Sequence, residues 1–138
     1  MRRSFLFVGL VAAACGVLIA APSENAKYIG VDKCKMCHFD KHEAWSKTGH
    51  AMAFDLLLNV AQEKNAECLK CHTTGYGKGG YTDETATPGL KAVGCEACHG
   101  PGSEHMENGG DVTKIVRVPP ATVCGGCHQS LNIHPVGP

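Results

Sequence analysis

Eight of the nine cysteines fall into four pairs of identical spacing, and a histidine closes each pair. They are Cys34-Lys35-Met36-Cys37-His38, Cys68-Leu69-Lys70-Cys71-His72, Cys95-Glu96-Ala97-Cys98-His99 and Cys124-Gly125-Gly126-Cys127-His128. No other feature restricts the fold so tightly. Each motif must form a local turn that presents two sulfurs and one imidazole together. Successive motifs start 34, 27 and 29 residues apart, so the repeat marks attachment points and does not define a solenoid of fixed period.

A Cys-x-x-Cys-His segment is built for covalent haem. Its two thiols add to the vinyl groups of one porphyrin edge, and the adjoining imidazole reaches the iron. The sequence therefore predicts four covalently attached haem c groups, held by Cys34, Cys37, Cys68, Cys71, Cys95, Cys98, Cys124 and Cys127. Zinc is the competing use of paired cysteines, but it leaves four following histidines unexplained. Disulfides suit an oxidising compartment, yet they account for neither the spacing nor the histidines.

Export is expected from the opening residues. Met1-Arg2-Arg3-Ser4 is basic, and an apolar run from Phe5 to Ala21 follows. This reads as a signal peptide over residues 1–21, leaving 22–138 as one domain in the periplasm or cell exterior. After cleavage no stable membrane span is expected. A retained anchor is the alternative, since the run sits at the lower limit for spanning. Cys15 after three alanines weakly resembles a lipoprotein site, but the apolar run continues past it.

Beyond residue 21 the aromatics are only Tyr28, Phe39, Trp45, Phe54, Tyr76 and Tyr81, while glycines crowd the second half. Such a chain cannot fill a large interior from its own side chains. Four haems would fill it, giving a mainly α, loop-rich fold wrapped around a haem chain. A helix capped by Asp32 is expected to carry the first motif toward Trp45, with Gly49 interrupting. A second is expected over Ala51–Lys64, with Met52, Leu56 and Val60 on one face and Ala53 and Leu57 beside them. Residues 73–88 read as a loop. Ser103 is expected to cap a short helix, and 115–118 to be extended.

His38, His72, His99 and His128 are the proximal iron ligands implied by the motifs. Four histidines remain, His42, His50, His105 and His134, matching four irons in number. The match points to bis-histidine, low-spin haems. His42 lies one helical turn from His38 and so projects from the same face as that ligand. His134 is also close to its motif. His42 would have to serve another haem or a haem in a neighbouring subunit, and His134 is also suited to ligation across subunits. Met52 and Met106 read as core filling.

Three segments carry a more specific resemblance: Tyr28-Ile29-Gly30, then Trp45 through Ala51, and Cys95 through His105. Over residues 28–128 the chain resembles the tetrahaem cytochrome c family that includes the electron carrier of nitrifier hydroxylamine oxidation. The resemblance implies that His50 ligates the third haem and His105 the first, with haems in near-parallel and near-perpendicular pairs. In that carrier the second haem lacks a distal protein ligand, and the last takes one far downstream. Here the sequence stops ten residues past His128, which leaves His134 for the fourth haem.

The function expected is electron transfer between redox protein donor and acceptor, with no role in nucleic-acid binding. A small multihaem reductase with one open haem is the enzymatic alternative, although neither His42 nor Lys70 defines a pocket for it. Similar subunits build extracellular cytochrome filaments, in which His42 or His134 would suit ligation across subunits. Thirteen basic and thirteen acidic residues balance to zero. Loss of Arg2 and Arg3, gain of eight propionates and about one positive charge on each of four ferric porphyrin cores would take the oxidised holoprotein to roughly −6.

Overall fold

A computed structural model describes residues 20–128. Cys15, His134 and nearly all of the expected signal segment lie outside the described residues. Within them the chain is helical and loop-rich, with no strand. Seven short α-helices follow in order: α1 Val31–Lys35, α2 Phe39–Ser46, α3 Ala53–Asn59, α4 Ala66–His72, α5 Cys95–His99, α6 Ser103–Glu107 and α7 Ala121–His128. Two 3-10 turns, Pro88–Leu90 and Val112–Lys114, complete the helical structure described.

The first motif breaks the helix that was expected to run through it. Gly30, at φ 84°, caps α1 in place of Asp32. His38 leaves helical geometry (φ −115°, ψ 50°) and becomes the N-cap of α2. Downstream, the helix expected over Ala51–Lys64 occupies only its middle. The amides of Ala61 and Gln62 bond back to the carbonyls of Leu58 and Leu57, at 3.2 and 2.9 Å. That pattern is a Schellman stop, and it holds Ala61 in the left-handed region at φ 53°.

The buried face of α3 also differs from the expected one. Ala53, Phe54 and Leu57 point inward, whereas Met52, Leu56 and Val60 are exposed. Phe54, Leu57, Leu69, Tyr81 and Leu90 form the core, joined by Tyr28, Cys68 and Tyr76 at its edge. The Phe54 and Tyr81 rings meet at 5.6 Å and 58°, a tilted contact that suits their quadrupoles. This core is small and lies between α3, α4 and the 74–90 loop. Thr74 ties that loop down: its hydroxyl donates to the Ala92 carbonyl at 2.7 Å and accepts from the Gly94 amide at 2.8 Å.

Ser103 opens α6, but its hydroxyl accepts the Lys27 amide at 2.8 Å while Gly102 holds the cap position. The 115–118 segment begins extended, at Ile115, and its Val116 amide donates to the His99 carbonyl of α5 at 3.0 Å.

Candidate functional site

Three of the four motifs end or fill a helix, where residues three apart lie on one face. Asn65 starts α4 by accepting the Glu67 amide at 3.0 Å, and so fixes the helix that carries Cys68, Cys71 and His72. Gly100, at φ 78°, stops α5 directly after His99; a Cβ there would meet the Pro22 ring at 2.8 Å. The fourth motif closes α7. The first motif spans the break between α1 and α2, with Cys34 in one helix and His38 capping the next.

The imidazoles are oriented by backbone carbonyls. His72 Nδ1 lies 2.6 Å from the Ala53 carbonyl, His99 Nδ1 2.6 Å from Val116, and His105 Nδ1 2.8 Å from Asp111. A carbonyl only accepts, so Nδ1 carries a proton in each ring, which leaves Nε2 as the nitrogen available to a metal. Iron-ligating histidines use this arrangement, the outer bond fixing tautomer and ring plane. Asp111 is itself held, since its carboxylate accepts the Thr113 amide and hydroxyl at 2.9 and 2.8 Å. Those two bonds keep its carboxyl below the usual range.

Two pairs of imidazoles face each other. His38 and His105 stack at 6.2 Å between ring centres with 15° between their planes. His50 and His128 lie 5.9 Å apart at 52°. Two metal–nitrogen bonds of about 2 Å, with about 1 Å from each ring centre to its edge nitrogen, put coaxial ligands about 6 Å apart. Both pairs therefore have the spacing that one iron between two imidazoles requires. His105 stands opposite the first motif, in line with the resemblance. His50 stands opposite the fourth motif, where the resemblance implies the third: the turn after α2 carries it to the end of α7.

His42 has a different neighbour. Its ring packs on Trp45 at 5.2 Å and 56°, while the Trp45 indole N–H donates to the Val93 carbonyl at 2.9 Å. His134 lies outside the described residues.

The thiols meet across motifs. Interaction with Cys95 pushes the Cys34 thiol far above its ordinary value, and the same interaction pulls Cys95 down to about 7. The Cys34 thiol itself donates to the Gly30 carbonyl at 3.6 Å. Burial, and then a bond to Cys71, raises Cys127 to about 11. The first motif therefore adjoins the third, and the second adjoins the fourth. Among the described residues no three His, Cys, Asp or Glu side chains converge as a cage for a bare metal ion.

Apolar side chains flank these donors. Met36 lies within the first motif and Phe39 directly after it, both exposed. Leu56, Leu57, Val60 and Asn59 wall a cavity of about 310 Å³ beside His72. Paired thiols, oriented imidazoles and apolar walls together fit a porphyrin.

Sequence reasoning passed over Glu96. It sits inside the third motif, almost wholly buried at 3% exposure, where its carboxylate accepts backbone amides. An acid at an inner motif position, followed by Gly100-Pro101-Gly102, was the available signal.

Comparison with known proteins bears on this arrangement. The family described as cytochrome c554 and c-prime matches residues 33–100. Cytochrome c-554 of Nitrosomonas europaea is 38% identical, over 73% of this chain and 52% of that protein. The chain thus spans about half the length of that curated relative. The solved reduced state of cytochrome c554 from Nitrosomonas europaea superposes with a TM-score of 0.61 at 30% identity, covering 80% of this chain and 69% of the other.

Proposed function

Because this chain belongs to the cytochrome c554 and c-prime family, we propose that it is an electron carrier exported to the periplasm. It carries four covalently attached haem c groups, one on each Cys-x-x-Cys-His motif. Bound haem supplies a one-electron ferric–ferrous couple, and the protein sets its potential by axial ligation and burial. His38 and His105 hold the first haem between them, and His50 and His128 hold the fourth. His72 and His99 are the motif ligands of the second and third.

The stacking of His38 on His105 carries this reading most directly. One ring belongs to a motif and the other does not, yet they sit at ligand spacing and nearly parallel. Two imidazole nitrogens would serve a haem between them and leave its iron no open site for a substrate. The cavity beside His72 is walled by Leu56, Leu57 and Val60 with Asn59, an apolar lining that suits a porphyrin face. Adjacency of the first and third motifs, and of the second and fourth, suits electron passage between neighbouring haems. The partners are then redox proteins that donate and accept electrons in brief encounters. Export rests on the basic start and apolar run of residues 1–21.

Intact mass of the mature protein, with low-temperature reduced-minus-oxidised spectra, tests the reading. Four haems by mass and a low-spin spectrum for the first and fourth are expected. A haem-free chain, made in a host competent for cytochrome c maturation, would refute it.

A further inference from the structure

Glu96 contributes neither sulfur nor imidazole, yet it joins the parts that do. One carboxylate oxygen accepts the Gly102 amide at 2.7 Å. The other accepts the Gly30 amide at 2.8 Å, and the Ile29 amide bridges both oxygens at 3.0 and 3.1 Å. Gly30 is the N-cap of α1 and Gly102 the N-cap of α6. The first of these helices leads into His38, and the second carries His105. A single carboxylate therefore spans the starts of the two helices that bring the stacked imidazoles together.

No lysine or arginine forms an ion pair with Glu96 among the described residues. A buried carboxylate is costly unless its oxygens are fully bonded, and charged acceptors make the stronger, shorter bonds. The packing around it matches that demand. A Cβ on Gly102 would stand 3.3 Å from the carboxylate, tighter than ordinary contact, and Gly30 needs its positive φ to aim its amide inward. The neighbouring bonds between Lys27 and Ser103 join the same two segments but reach neither cap residue.

The geometry points to Glu96 as a positioning residue that holds His105 at ligand distance from His38, and so keeps the first haem six-coordinate from within the motif of the third. This rests on the reading that His38 and His105 flank one haem. The segment 28–30 cannot shift relative to α6 without breaking a bond to this carboxylate. Motif 3 thus serves two haems: through its thiols and His99 the third, and through Glu96 the first.

Glu96→Gln keeps the shape but turns one oxygen into an amide nitrogen facing N–H donors, which must give way. The variant is to be purified as holoprotein and examined by mass, electron paramagnetic resonance and carbon monoxide difference spectra. Near-parallel imidazoles such as His38 and His105 give a rhombic low-spin signal, and more crossed rings such as His50 and His128 a more axial one. The expected result is four haems by mass, loss of the rhombic signal, and carbon monoxide binding gained by one haem of the four, with the axial signal retained. Glu96→Asp, too short to reach both caps, should lose the same signal in part, and it decides the matter if the Gln variant does not accumulate. Ser103→Ala, which removes the Lys27 bond alone, should keep the rhombic signal. Retention of that signal in a four-haem Glu96 variant, or its loss in Ser103→Ala, would overturn the inference. A wild-type protein lacking four haems would instead refute the electron-carrier reading, and this inference with it.

Discussion

Replacing His50 by alanine separates the two places this ligand has been put. In the structure its ring stands 5.9 Å from that of His128, and the resemblance alone would send it to the third haem. On the proposed ligation the variant removes one nitrogen ligand from one haem, so one haem's share of low-spin iron should become high-spin or bind carbon monoxide. The signal lost should be the axial one expected of rings crossed at 52°, while the rhombic signal of the pair at 15° persists. Little else should change. The His50 side chain is exposed, so truncation leaves no void beside Phe54 and Leu57. Its carbonyl still accepts the amides of Ala53 and Val93, at 3.3 and 3.2 Å. The packing loss should stay within about 0.5 kcal/mol, the usual range for surface substitutions. Electron paramagnetic resonance on a four-haem sample reads the outcome, with urea melts as the stability check. No loss of low-spin iron in His50→Ala, or loss of the rhombic signal in place of the axial one, would refute the placement.

Phe54→Ala empties the centre of a small core, so a loss of about 3–5 kcal/mol is expected in denaturant unfolding; a loss below about 1 kcal/mol would mean that the core does not bear on stability. His42→Ala should leave the haem spectra and the elution volume unchanged, because that ring rests on Trp45; a newly opened haem would show that it ligates. The charge of roughly −6 for the mature oxidised protein predicts that reduction by a small cationic donor slows as salt rises, while reduction by an anionic one quickens. Stopped-flow rates across ionic strength check this, and the opposite trends would place the exposed haem edges on a positive face.

The attachment chemistry was legible because it is local: five consecutive residues state it, four times over. Helical class was legible too, but not helix length. Apolar periodicity over 51–64 says nothing of the Schellman stop at Ala61, since alanine carries no signal of a left-handed turn. The face of α3 was misjudged for a related reason. Met52, Leu56 and Val60 recur at helical spacing just as Ala53, Phe54 and Leu57 do, and only packing against Tyr81 and Leu69 decides between them. His105 was singled out by the resemblance, and the structure sets its ring beside that of His38. The partner of His50 depends on where α7 ends in space, which no spacing encodes. The carbonyls of Ala53, Asp111 and Val116 that orient the imidazoles could not be anticipated, because any residue supplies a carbonyl. Glu96 was quoted as part of a recognisable segment, as was Tyr28-Ile29-Gly30, but nothing in the sequence joined the two.

The two facing imidazole pairs interlock along the chain. His38 reaches forward to His105, and His50, lying between them, reaches beyond both to His128. Neither pairing nests inside the other, and neither stands apart from it. No cut through the middle of the chain therefore yields a two-haem fragment with its ligands intact: a break anywhere from 50 to 105 severs both. On the proposed ligation, a chain wired this way is not divisible into halves or exchangeable single-haem units.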